Sequence, residues 1–274
     1  MKSWVNGVEG GAVGTLDRGL NYGDGLFETM RLERGAVRHL ARHLARLAEG
    51  CTRLGLKRLD FEQLRREIDD AARTVADGTL KLVVTRGSGA RGYRPAGDEL
   101  PARILTWAPA RESDPAWAIA GVRVRYCQTP ATQNSALAGM KHLNRLDCVL
   151  ARREWSDPET VEGLMRDSHG RIVGGTMTNL FAVRGRTLLT PSIEDCGVRG
   201  IMRAVVIDAA RGSGISVVEV GLSADDLAQA DELFLTNALI GVWPVRLLEA
   251  RRYAIGATTV RLRETCAAVA DPAV

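Results

Sequence analysis

Few side chains in this sequence can act as an amine nucleophile. Its 274 residues hold 37 lysines and arginines, but only four are lysine: Lys2, Lys57, Lys81 and Lys141. Arginine stays protonated in proteins, whereas a desolvated lysine loses its proton readily and can form Schiff bases. Lys2 is terminal, and Lys57 lies in the polar run Gly55-Leu56-Lys57-Arg58. Lys81 alternates with Leu80 and Leu82, which points it outward or toward a carboxylate. Lys141 follows the small-residue stretch Ala136-Leu137-Ala138-Gly139-Met140. Small residues let another group approach the backbone closely. Local sequence allows both a Schiff-base lysine and a surface lysine near a helix start.

A second motif with chemical potential is Gly87-Ser88-Gly89-Ala90-Arg91-Gly92, directly after a strand. It has the G-x-G-x-x-G spacing of a dinucleotide loop, but that chemistry needs a helix opening inside the motif to face the pyrophosphate. Tyr93-Arg94-Pro95-Ala96-Gly97 follows instead, and Pro95 and Pro101 bracket a stretch too short for that helix. A loop presenting Arg91 and Tyr93 to a ligand and a plain hairpin loop with solvated arginines both fit.

Other classes are excluded by pattern. The net charge is only +4, which makes no case for nucleic-acid binding. No apolar run approaches the ~18–20 residues of a membrane span, and the first residues have no apolar signal core. Five scattered cysteines show no zinc spacing and fit reduced thiols in a cytoplasmic setting. Four histidines without H-E-x-x-H offer no metal site, and neither a nucleophile elbow nor a Walker A loop occurs.

The positioning elements form two groups of strands and helices, an α+β pattern. Strands are expected at 27–33, 79–87 and 102–108, with helices over 38–54 and from an N-cap at Asp60. Leu40, Leu44, Leu47 and Leu54 line the first helix, and Phe61, Leu64, Ile68 and Val75 the second. Domains are expected at 1–110 and 119–274 with a polar linker at 111–118, and Lys141 falls in the larger C-terminal one. That second half reads as strands at 121–127, 161–166, 171–173, 178–183, 187–190, 215–220 and 232–236. Its helices are expected around 143–155, 200–211 and 223–230.

Taken together, the motifs carry a resemblance. They run from Asp17-Arg18-Gly19-Leu20-Asn21-Tyr22-Gly23-Asp24-Gly25-Leu26-Phe27-Glu28-Thr29 through His43-Leu44-Ala45-Arg46-Leu47 and Arg86 to Tyr93. Gly139-Met140-Lys141-His142-Leu143-Asn144-Arg145-Leu146, Thr178-Asn179-Leu180-Phe181, Gly197 to Arg203 and Thr236-Asn237-Ala238 complete them. Over essentially its whole length the chain resembles the fold-type IV pyridoxal-phosphate enzymes, with their two-domain, D-amino acid aminotransferase-like α+β architecture. Within them it is most similar to the 4-amino-4-deoxychorismate lyases, through the K-H-L-N-R run and the G-x-R-G-Y loop.

The resemblance implies pyridoxal 5'-phosphate between the domains, held by Lys141 as the Schiff-base lysine and catalytic base. Arg46 would clamp the phosphate, with Gly200, Ile201, Thr236 and Asn179 as further cofactor contacts. Thr29, Arg91 and Tyr93 would face the anionic substrate. The implied reaction is loss of pyruvate from 4-amino-4-deoxychorismate to give 4-aminobenzoate, in a cytoplasmic homodimer. The alternatives are a D-amino-acid or branched-chain aminotransferase and a non-catalytic cofactor-binding variant. One position departs from the pattern: Gly174 stands where the family usually has a glutamate paired with the pyridine nitrogen. Glu162 and Asp167 lie upstream in a different strand and a turn. Weakened catalysis is the consequence expected, and Gly174→Glu is expected to raise turnover.

Overall fold

A computed structural model describes residues 1–110 and 114–269. The chain divides into two compact units, and residues 111–113 of the expected linker lie outside the described residues. The first unit comprises residues up to 110 together with Met140–Asn144. Its elements are β1 (Lys2–Val5), β2 (Val8–Glu9), α1 (Arg18–Tyr22), β3 (Gly25–Glu33) and β4 (Ala36–Val37). They continue with α2 (Leu40–Leu54), α3 (Phe61–Arg73), β5 (Gly78–Thr85) and β6 (Ala102–Pro109). The strands form one antiparallel sheet in the order β2-β1-β6-β5-β3-β4.

Alternation along β3 buries Leu26, Glu28, Met30 and Leu32, and β5 buries Leu80, Leu82 and Val84. Helix α2 packs on β3. Its buried stripe is Leu40, His43, Leu47, Gly50 and Cys51, so the stripe is centred on His43 and not on Leu44. A Cβ at Gly50 would stand 2.7 Å from Leu26, which is why the helix comes so close. Asp60 caps α3 by accepting from the Glu62 and Gln63 amides, as expected. No helix occurs between β5 and β6, in agreement with rejecting the dinucleotide loop.

The second unit comprises residues 114–139 and 145–269. It contains α4 (Trp117–Ala120), β7 (Val122–Tyr126), α5 (Leu146–Arg152), β8 (Thr160–Arg166), β9 (Ile172–Gly175) and β10 (Asn179–Arg184). These are followed by β11 (Thr187–Pro191), α6 (Ile201–Gly212), β12 (Ser216–Val220) and α7 (Ala224–Ala228). The last are β13 (Glu232–Asn237), β14 (Gly241–Leu248), β15 (Arg251–Arg252) and α8 (Ala257–Ala268). A mixed sheet runs β12-β11-β10-β13-β14-β7-β8-β9, with β15 paired to β14. Residues of β10 pack on both faces: Leu180 and Ala182 join one core, Phe181 and Val183 the other. That explains the unbroken apolar run of this strand, which a sheet covered on both faces requires. Helices α6 and α8 cover the face on which Phe181 and Phe234 stack at 5.0 Å.

Three departures from sequence expectation concern the linker, the helix after Lys141 and the placing of Lys141 itself. Trp117, placed in the linker, opens α4 and meets Trp243 edge-on at 5.1 Å. The helix expected around 143–155 shrinks to α5, and its Leu146, Val149 and Leu150 are 76%, 53% and 51% exposed. Finally, Met140–Asn144 belongs with the first unit and not with the C-terminal one. Its backbone pairs with β3: the Phe27 amide donates to Lys141 O at 2.9 Å and the Leu143 amide to Gly25 O at 3.1 Å.

Candidate active site

That pairing sets Lys141 beside β3. Its ammonium lies 4.5 Å from the Phe27 ring centroid, and Lys81 lies 5.2 Å from the same centroid. Thr29, opposite Lys81 in the β3–β5 register, shares the Phe27 face of the strand. The first unit thus gathers Lys141 and Thr29 on one face. The sequence had not indicated that Lys81 joins them.

On the opposite face, Glu28 is 1% exposed. It receives His43 Nδ1 at 2.6 Å and Arg46 Nε at 2.9 Å, and Arg46 Nη2 also donates to it. Burial alone would raise this carboxyl, but the bonds from His43 and Arg46 outweigh it and hold Glu28 below the usual range. Arg46 and Lys141 are therefore anchored on consecutive residues of one strand. Sequence reasoning missed Glu28 and His43. The available sign was a carboxylate at an inward position of an alternating strand, where a charge needs a partner.

The loop carrying Arg91 and Tyr93 is held by buried Arg18, which donates to Gly92 O at 2.8 Å and Tyr93 O at 2.7 Å. Asp24 orients Arg18 at 3.0 Å, and the Tyr22 hydroxyl accepts from the Gly92 amide at 3.1 Å. Arg91 and Tyr93 themselves are exposed, Tyr93 by 86%.

In the second unit, Asn179, Gly200, Ile201 and Thr236 come together. Asn179 pairs with Thr236 across β10 and β13 and donates from Nδ2 to Val198 O at 2.9 Å. Gly200 is the N-cap of α6 without a side-chain cap, and a Cβ there would come within 2.0 Å of Asn179 Oδ1. The Thr236 hydroxyl is fully buried and has no hydrogen-bond partner among the described residues. A bare helix N-terminus beside an unsatisfied hydroxyl suits a phosphate. These residues fit the phosphate of pyridoxal 5'-phosphate on that ground. The loop before α6 is also stitched to the chain just ahead of Lys141: Gly139 N donates to Gly197 O, and Arg199 N to Gly139 O, each at 3.0 Å.

Gly174 sits in β9 at φ +153, and a Cβ there would lie 2.8 Å from Thr178 O. A glutamate at this position must displace the backbone that leads into Asn179. Gly174→Glu is accordingly expected to cost roughly 1–3 kcal/mol. The melting temperature should fall by several degrees, and any gain in turnover has to be read per folded molecule. An unchanged melting temperature would contradict the strain.

Glu162, out of register in the sequence, is brought to the same turn by β8–β9 pairing. Its Oε1 accepts from the Gly163 amide and from the amide and hydroxyl of Thr176; its Oε2 accepts from the Met177 amide and Thr178 hydroxyl. Five donors commit both oxygens to shaping the turn.

The cysteines are chemically quiet. Burial pushes Cys127 up to about 12 and Cys51, Cys148, Cys196 and Cys266 to about 11. At pH 8 alkylation of the native protein should be on the order of 100-fold slower than of the unfolded chain, since the thiolate reacts. Rapid native labelling by iodoacetamide would refute this. No group of side chains that could hold a metal occurs among the described residues.

The chain is similar to known proteins over most of its length. A family model described as amino-transferase class IV matches residues 25–248. The chain is similar to the aminodeoxychorismate lyase of Vibrio harveyi, 33% identical over 267 residues, which span 95% of this chain and 97% of the relative. It is also similar to a putative branched-chain-amino-acid aminotransferase of Methanocaldococcus jannaschii, 32% identical over 278 residues, spanning 96% and 94%. Among solved structures, 4-amino-4-deoxychorismate lyase from Pseudomonas aeruginosa superposes with a TM-score of 0.93 at 45% identity, covering 96% of this chain and 97% of that one.

Proposed function

The chain belongs to the amino-transferase class IV family and has its fold-type IV α+β architecture, and from that premise we propose that it is an aminodeoxychorismate lyase. The family uses pyridoxal phosphate. The observation carrying the reading is the near-complete superposition on the Pseudomonas aeruginosa lyase at 45% identity.

Lys141 would hold the cofactor through Nζ, Arg46 and Thr236 would bind its phosphate, and the amides at Gly200 and Ile201 would face the same anion. When bound, pyridoxal phosphate supplies an electron sink for negative charge beside the substrate's amine nitrogen. Freed when the substrate's amine takes its place on the cofactor, Lys141 Nζ would take the proton from the carbon bearing that nitrogen. The carbon–oxygen bond to the enolpyruvyl group would then break, the released enolpyruvate would gain a proton at its methylene carbon, which Lys141 Nζ can return, to become pyruvate, and the ring would become aromatic. Aromatisation drives this last step, which lowers the demand on the site at the position of Gly174. Arg91 and Tyr93 suit the carboxylates of the substrate, and Thr29 lies on the Lys141 face of β3.

We infer a cytoplasmic homodimer. The exposed Leu146, Val149 and Leu150 of α5 support self-association, because so contiguous an apolar strip is unusual on a monomer. The branched-chain relative keeps an aminotransferase as the second reading. Purified chain supplied with cofactor and aminodeoxychorismate should release pyruvate and 4-aminobenzoate in equal amounts. Amino transfer from D-alanine or a branched-chain amino acid to a 2-oxo acid, without pyruvate from aminodeoxychorismate, would favour the second reading. Cofactor-loaded protein inert in both assays would mark a non-catalytic binder.

A further inference from the structure

We propose that Glu28, with His43 behind it, is a positioning residue that aims the Arg46 guanidinium at the cofactor phosphate. The inference rests on the functional reading above and concerns residues that reading does not use.

A carboxylate on the inward face of β3 is costly unless it is paired, so its presence calls for a role. Glu28 meets Arg46 side-on: Oε1 takes Nε at 2.9 Å and Oε2 takes Nη2. Two parallel bonds to one carboxylate fix a guanidinium in its plane, which one bond cannot do. The carboxylate is itself fixed, because His43 Nδ1 reaches Oε2 at 2.6 Å and His43 is buried in α2 one turn before Arg46. With Glu28 ionised, the proton of this bond resides on Nδ1. His43 Nε2 is buried without a hydrogen-bond partner among the described residues, so the imidazole serves Glu28 and no other group through its nitrogens. A strand residue thereby sets the direction of a helix arginine whose long side chain would otherwise sample many rotamers.

The test compares two ligands of the purified apoprotein, pyridoxal 5'-phosphate and pyridoxal, which lacks the phosphate. Glu28→Gln should weaken pyridoxal phosphate about 10-fold, the lower end of what groups orienting a metal-ligating side chain contribute. Pyridoxal affinity should change by less than about twofold, since no phosphate is involved. In an Arg46→Ala background, Glu28→Gln should cause no further loss. His43→Gln is the second variant if Glu28→Gln does not fold, with the same split expected. Equal weakening of both ligands would overturn the inference in favour of a purely structural role, as would an unchanged pyridoxal phosphate affinity. Unsubstituted protein that binds no pyridoxal phosphate would overturn the functional reading itself, a separate outcome.

Discussion

Lys141→Ala is expected to lower turnover by about 10²–10⁴-fold, the range contributed by a positioned general acid or base, while leaving the fold almost untouched. The two effects separate because backbone and side chain do different work here. The segment Met140–Asn144 is fastened to β3 through main-chain bonds, Phe27 N to Lys141 O and Leu143 N to Gly25 O, which alanine retains. The side chain contributes its amine above the Phe27 ring. A cation–π contact is worth about 0.5–2 kcal/mol, so the melting temperature should move by only a few degrees. Turnover measured with saturating cofactor, alongside a thermal melt, checks both halves. Retained activity would remove Lys141 from the chemistry.

Arg46→Ala should act on both stability and cofactor. It strips Glu28 of its guanidinium partner and leaves only the His43 imidazole, while that carboxylate stays buried. Removing one partner of a buried pair typically costs about 3–5 kcal/mol, which for a chain of this length corresponds to a melting temperature lower by on the order of 10 °C. Pyridoxal phosphate affinity should fall about 10- to 100-fold through loss of a charge-assisted bond. The double variant Arg46→Met, Glu28→Leu separates the effects, since replacing both partners by apolar groups can restore stability. It should recover most of the melting temperature and none of the affinity. Recovery of affinity would show that Arg46 does not touch the phosphate.

These residues were unequally legible in the sequence. Lys141 stood out through scarcity and its small-residue approach, and Asp60 announced α3 because an N-cap is a local feature. Arg46 needed the resemblance, since a helical arginine is ordinarily solvated. Glu28 and His43 were not found, because their meaning depends on a strand and a helix meeting 15 residues apart. Glu162 was set aside on register, although β8–β9 pairing folds it under the turn. Strand β14 escaped through Pro244, a residue that argues against a central strand because it cannot donate to the ladder. Helix α8 escaped because Thr258, Thr259 and Val260 near its start are β-branched and blur the helical pattern.

The Lys141 assignment is open to direct chemical test, and the fold supplies its own control: Lys81 also approaches the Phe27 ring. Borohydride reduction of the cofactor-loaded protein, followed by proteolysis and peptide mass mapping, locates the amine that carries pyridoxal phosphate. The pyridoxyl mass is expected on the peptide containing Lys141 and on no other. Label on Lys81, or no label at all, would contradict the account.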